Sequence, residues 1–123
     1  MPNLRPGHTE PNEFELAILR RIAADEPSIG GSLEGLYVLS REFTGVGSYT
    51  NFRCEGPGGS GGSRPVGLEA IIRLPNVPNG MGAVLFRQGD RPKCLEIYTF
   101  ADPWDGVYDG FVIEDDKGGP EPR

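Results

Sequence analysis

One histidine and two cysteines are all that 123 residues offer of the residue types that most often carry chemistry. His8 lies among prolines and a glycine near the start of the sequence, so a Ser–His–Asp or Cys–His arrangement has no anchored base. Two separated cysteines, Cys54 and Cys94, with that one histidine make neither a tetrahedral zinc set nor a disulfide framework. No apolar run approaches the ~18 residues of a membrane span, and "MPNLRPGHTEP" lacks the apolar core of a secretory signal. The chain is therefore expected in the cytoplasm with its thiols reduced, without membrane, metal or cofactor. "GPGGSGGSRP" (56–65) is no phosphate loop: Gly-Lys-Ser/Thr is missing, and Arg64-Pro65 leads into a strand pattern rather than a helix.

Positive charge is the other scarcity, and it is local. Residues 1–93 hold ten acids and ten bases, whereas residues 94–123 hold eight acids against Lys117 and Arg123, so the closing quarter carries the whole net charge of −6. A phosphate-backbone binder needs a basic patch to displace counterions, which excludes a nucleic-acid partner. A basic protein partner is compatible, because opposite potentials speed encounter and favour register. The plainer reading is a solubilising acidic end.

What is present describes one domain of ordinary size, rich in turns, with 19 glycines and 12 prolines. Residues 1–10 read as a flexible lead-in, 11–115 as a single domain with a flexible glycine-rich loop at 56–65, and 116–123 as a flexible tail. "NEFELAILRRIAADEP" is a helix: Asn12 can cap it, Glu15 stands in capping-box spacing, and Phe14, Ile18 and Ile22 share a face. Strand patterns follow at 35–43, 48–54, 67–74, 82–88 and 93–100, with a short edge strand inside 106–115. The fold class is α+β, one N-terminal helix packed on one face of an antiparallel sheet of about five strands. Val84, Phe86, Leu95 and Ile97 are expected beneath the helix; Cys94, Glu96, Tyr98 and Phe100, with Arg41 and Arg73, are expected on the other face.

Two segments carry a resemblance. "REFTGVGSYTNF" (41–52) and "GAVLFRQGDRPKCLEIYTFADPW" (82–104) resemble a set of small uncharacterised bacterial proteins with Thr-Gly-Val-Gly, an aromatic and Thr-x-Phe, then Leu-Glu-x-Tyr-Thr and Pro-Trp. The likeness spans about residues 36–104, and Ile97 stands where that pattern has glycine. It implies a bacterial protein of the same fold and brings no activity with it.

The candidate surface is the exit of the 93–100 strand, "TFADPWDGVYDG". Asp102, Asp105 and Asp109 do not alternate as calcium ligands do. Trp104 is read as a lid on the core or as an interface anchor. Glu96 beside Tyr98 is expected to pair with Arg41 or Arg73 across strands, with solvation or acid–base work as lesser readings. The glycines at Gly45 and Gly47 allow a turn after Thr44; alternatively that turn offers amides to an anion. The leading expectation is a non-catalytic protein-binding domain, of the kind an immunity protein against a cationic toxin would be. The alternative is a small-anion-binding protein or enzyme with a pocket between the TGVG turn, Glu96, Tyr98 and an arginine. A homodimer through the uncovered sheet face is compatible with both.

Overall fold

The computed structural model describes residues 9–54 and 62–115. The expectations for 1–8, most of the glycine-rich loop and 116–123 lie outside the described residues. The helix forms where its caps place it: α1 runs Glu13–Asp25, with the Asn12 side chain accepting from the Glu15 amide and the Glu15 carboxylate accepting from the Asn12 amide. Pro27 ends the α-helix, and a short 3-10 helix, Pro27–Ser32, turns the chain toward the sheet.

The sheet has seven strands: β1 (Leu36–Phe43), β2 (Gly47–Cys54), β3 (Val66–Gly67), β4 (Ala70–Leu74), β5 (Val77–Gln88), β6 (Arg91–Thr99) and β7 (Val112–Asp115). Their order is β1-β2-β6-β5-β4-β7, with β3 pairing alongside β5, and every pairing is antiparallel. The α+β class and the single helix agree with the expectation; the strand count is higher because one expected strand divides and the edge segment adds β7. The 67–74 pattern divides into β3 and β4, because Leu68 and Glu69 leave the strand between them. The "PNG" of 78–80, which looks like a loop, lies inside β5. There the pairing shifts between Ile72↔Met81 and Leu74↔Val77, and Gly80 absorbs the irregularity at φ +84°.

The core lies between α1 and one face of the sheet. Phe14, Ile18, Leu19 and Ile22 meet Val38, Phe52, Ile72, Met81, Leu85, Leu95 and Ile97, all buried. Leu95 and Ile97 stand where expected. Val84 and Phe86 do not: Ala83 and Leu85 face the helix instead, opposite Ile97 and Leu95, and Phe86 is exposed. Side chains alternate along a strand, so a one-residue error in register reverses the whole set. The "AVLF" run is apolar on both parities, and its pattern does not choose between them.

Thr9 belongs to the fold rather than to a free lead-in, since its amide and carbonyl both pair with Val38 on the outer edge of β1. Arg87, with a side chain only 7% exposed, pairs with Glu26 and donates to the carbonyl oxygens of Arg64 and Gly89, tying the 3-10 helix to the β5–β6 hairpin.

Candidate functional site

Residues 100–111 do not trail away from the sheet; backbone bonds fasten them to two neighbouring turns. The Trp104 amide donates to Gly45 O and the Thr99 amide to Val46 O, both in the TGVG turn between β1 and β2. The Phe100 amide donates to Gly80 O in the irregular part of β5. The indole of Trp104, 6% exposed, packs against Phe14 and Phe43 and donates from Nε1 to Val107 O. Trp104 is thus a lid on the core rather than an exposed anchor. Phe14 stacks on Tyr108 with ring centroids 5.0 Å apart and meets Phe111 edge-on, so the loop returns to the helix as well.

The aspartates divide by role. Asp102 accepts from the Asn79 amide at 2.8 Å and from the Asn79 side chain, satisfying a backbone donor that the distorted strand leaves without a ladder partner. Asp105 accepts from the Val107 amide at 3.0 Å and from Asn76, closing a local Asx turn. Among the described residues their partners are amides, not guanidinium groups. Asp109 is exposed in the turn that precedes β7.

Around the buried indole the large apolar side chains turn outward. Phe43 is 59% exposed, Val46 55%, Phe100 52% and Val107 48%. The segments that build this end, 42–47, 75–80 and 99–111, contain Glu42, Asp102, Asp105 and Asp109 and neither lysine nor arginine. These segments themselves supply acids only, and the Arg73 guanidinium reaches their edge at Gly80, where an added Cβ would lie 3.3 Å from its Nη1.

The TGVG turn is spent on itself. The Thr44 amide donates to Gly47 O, and the Thr44 hydroxyl accepts from the Val46 amide and reaches the same carbonyl. Gly45 sits at φ +91°, and a Cβ at Gly47 would lie 2.2 Å from Ile97 O. Both glycines are demanded by backbone geometry, which leaves the amides of Thr44 and Val46 committed within the turn rather than presented to an anion.

Arg41 is placed otherwise than expected. It faces the helix and binds the Glu15 carboxylate with two nitrogens at 2.7 and 2.8 Å. Glu15 is 3% exposed and also accepts from the Thr50 hydroxyl at 2.9 Å. The hydrogen bonds that Arg41 donates to Glu15 raise its pKa above the ordinary value, against the opposing pull of burial. A cavity of about 20 Å³ adjoins this group, bounded by Asn12, Ser48, Ile97 and Tyr108 among others; that is room for about one water. Helical spacing marked Glu15 only as half of a capping box, and the strand position of Arg41 is undecided until the β1 irregularity between Val38 and Ser40 is known.

Glu96 lies on the opposite, uncovered face, where the Tyr49 hydroxyl donates to it at 3.3 Å. Arg73 pairs with Glu114 of β7 at 3.2 Å. The expected cross-strand pair of Glu96 with Arg41 or Arg73 is therefore replaced by a tyrosine hydrogen bond. The Tyr49 phenol is raised above its ordinary pKa, chiefly by the charge of Glu96 and then by the hydrogen bond to it. Cys94 is a free thiol on the same strand, raised by burial first and then by Glu96 and Glu42. The pocket imagined between the TGVG turn, Glu96, Tyr98 and an arginine lacks Arg41, which the sheet separates from Glu96.

A concavity of about 530 Å³ lies elsewhere, along the flank of α1. Leu16, Ala23, Leu33 and Tyr37 line it, with Arg20 and Glu34 at its margin.

No protein-family model, no curated protein and no solved structure matches this chain.

Proposed function

We propose that this chain is a non-catalytic protein-binding domain whose apolar, acidic rim engages a basic partner. The carrying observation is the combination at one end of the molecule: four large apolar side chains about half exposed, four acids, and no lysine or arginine in the segments that form it. Contiguous exposed apolar surface marks an interaction site on a soluble protein, and an excess of one charge sign beside it selects a partner of the opposite sign. The fixed loop supports the same reading, because a preorganised surface loses less entropy on binding. The partner this chemistry fits is a protein with lysines or arginines set around an apolar spot, as a cationic toxin facing its immunity protein would have. Kinship with the small bacterial proteins that share the TGVG and LE-x-YT segments is part of the proposal and adds no activity to it.

The test is equilibrium binding to a panel of small basic proteins and of peptides that alternate lysine or arginine with apolar residues. A binding member is expected whose affinity falls as salt rises. Glu42→Gln with Asp109→Asn is expected to weaken it by about 3- to 10-fold, and Val46→Ser with Val107→Ser by about 10-fold or more, with circular dichroism unchanged. Binding that ignores all four substitutions, or none across the panel, would overturn the reading.

A further inference from the structure

The helix covers one face of the sheet; among the described residues no helix lies on the other, where Phe100 packs edge-on against Tyr98. We propose that this uncovered face is a two-fold interface between two copies of the chain. Its middle holds Glu96 on β6, with Tyr49 beside it on β2 and Val84 beside it on β5. Gly82 leaves room for the Tyr98 ring to lie down on β5, since a Cβ there would come within 2.8 Å of the ring and its hydroxyl. Val84 and Phe86 continue along β5, Tyr49 lies beyond Glu96 on β2, and Val112, 52% exposed, lies beyond Arg73 on β7.

Charge decides the occupant. Arg53 of β2 and Arg73 of β4 share this face with Glu42 of β1, Glu96 of β6 and Glu114 of β7, two positive against three negative. In a chain of net charge −6 this is the near-neutral region, and it gives a cationic partner nothing to select. It suits its own copy: a two-fold axis brings the same patch against itself, which requires both signs of charge within the patch. The area is sufficient. Six strands side by side at ~4.8 Å, from four to twelve residues long at ~3.3 Å each, give roughly 500–700 Å² per copy. Two such faces clear the ~1,000 Å² total that a specific interface needs.

Sedimentation equilibrium of the full chain across roughly 5 to 300 µM is the experiment, since mass action makes a dimer concentration-dependent. A dimer is expected, with a dissociation constant that changes less than about threefold between low and high salt because the face is near-neutral. Phe86→Glu is expected to give monomer. Val112→Lys, at a position already half exposed and therefore harmless to folding, is expected to weaken association at least about tenfold through like charges meeting across the axis. The rim pair Val46→Ser with Val107→Ser is expected to leave the dimer intact, which separates this inference from the docking rim. Monomer at every concentration overturns the proposal, and so does a dimer that survives both face substitutions.

Discussion

Two groups of carboxylates stand a short distance apart and do opposite work. Glu15 is shut inside the molecule with a guanidinium, a hydroxyl and a backbone amide around it. Asp102, Asp105 and Asp109 sit at the end of the sheet, the first two bonded to neutral amides and the third exposed. The interior carboxylate has its charge answered and so contributes to holding α1 on β1 and β2. Asp102 and Asp105 have their geometry answered by amides and Asp109 is exposed, and no ion pair among the described residues answers the charge of the three. Hydrogen bonding and charge neutralisation are separate requirements, and the rim satisfies only one of them.

The sharpest way to break this contrast is to remove Glu15. Glu15→Ala leaves Arg41, Thr50 and the Asn12 amide facing a site without an acceptor, and loss of one partner of a buried pair costs about 3–5 kcal/mol. For a domain of this size the melting temperature is expected to fall by about 10–20 °C. Arg41→Ala is expected to approach the same loss, and the double variant to fall well short of the sum, because the two side chains form one network. Additive losses in thermal unfolding would show that the pair is not coupled.

Trp104→Ala comes next, at about 3 kcal/mol, the usual cost of emptying a large aromatic site in a core. Because the same loop holds the rim, this variant is expected to lose partner binding together with stability, whereas Glu15→Ala at a temperature where it remains folded is expected to keep binding. Calorimetry paired with the peptide assay tests that separation.

The sequence carried the helix, its capping box and the five principal strand patterns because each is written in local spacing: 3.6 for Phe14, Ile18 and Ile22, two for Leu95 and Ile97. It failed where the deciding contact is remote. Nothing near Val84 says that its neighbours Ala83 and Leu85, not itself, meet the helix; that follows from register with β6. Arg41 looked outward-facing until the irregularity in β1 turned it toward Glu15, 26 residues away. Charge segregation was visible from the residue order alone, and the aspartates were rightly located in a loop. Their division into turn-formers and an exposed charge was not visible, because the amides they bind include Asn76 of the β4–β5 turn and Asn79 of β5, both remote in sequence.

That division can be sharpened with smaller effects. Asp102→Ala removes the acceptor for the Asn79 amide and is expected to cost about 1–2 kcal/mol. Asp109→Asn, at an exposed position, is expected to stay within about 0.5 kcal/mol. Denaturant midpoints measure both. Equal losses would place Asp109 in the framework and take its charge out of the rim.

The smallest effect tests the uncovered face, where the charge of Glu96 is only partly answered by a phenol. Tyr49 holds its proton above the ordinary phenol range, first because of the Glu96 charge and then because of the hydrogen bond to it. A folded-state pKa above the unfolded one means that the folded chain binds the proton more tightly. The contribution to stability is therefore complete below the ordinary phenol value and is lost as pH rises through the folded-state value. Since the ring is solvated, the change appears in a spectrum before it appears in a melting curve. An ultraviolet titration near 295 nm is expected to show a late component among the four tyrosines, absent in Tyr49→Phe and moved to lower pH in Glu96→Gln. The same Glu96→Gln change is expected to lower the Cys94 thiol slightly, as faster alkylation at alkaline pH, with burial keeping most of its elevation. A Tyr49 component that does not move in Glu96→Gln would mean that the two side chains do not meet in solution.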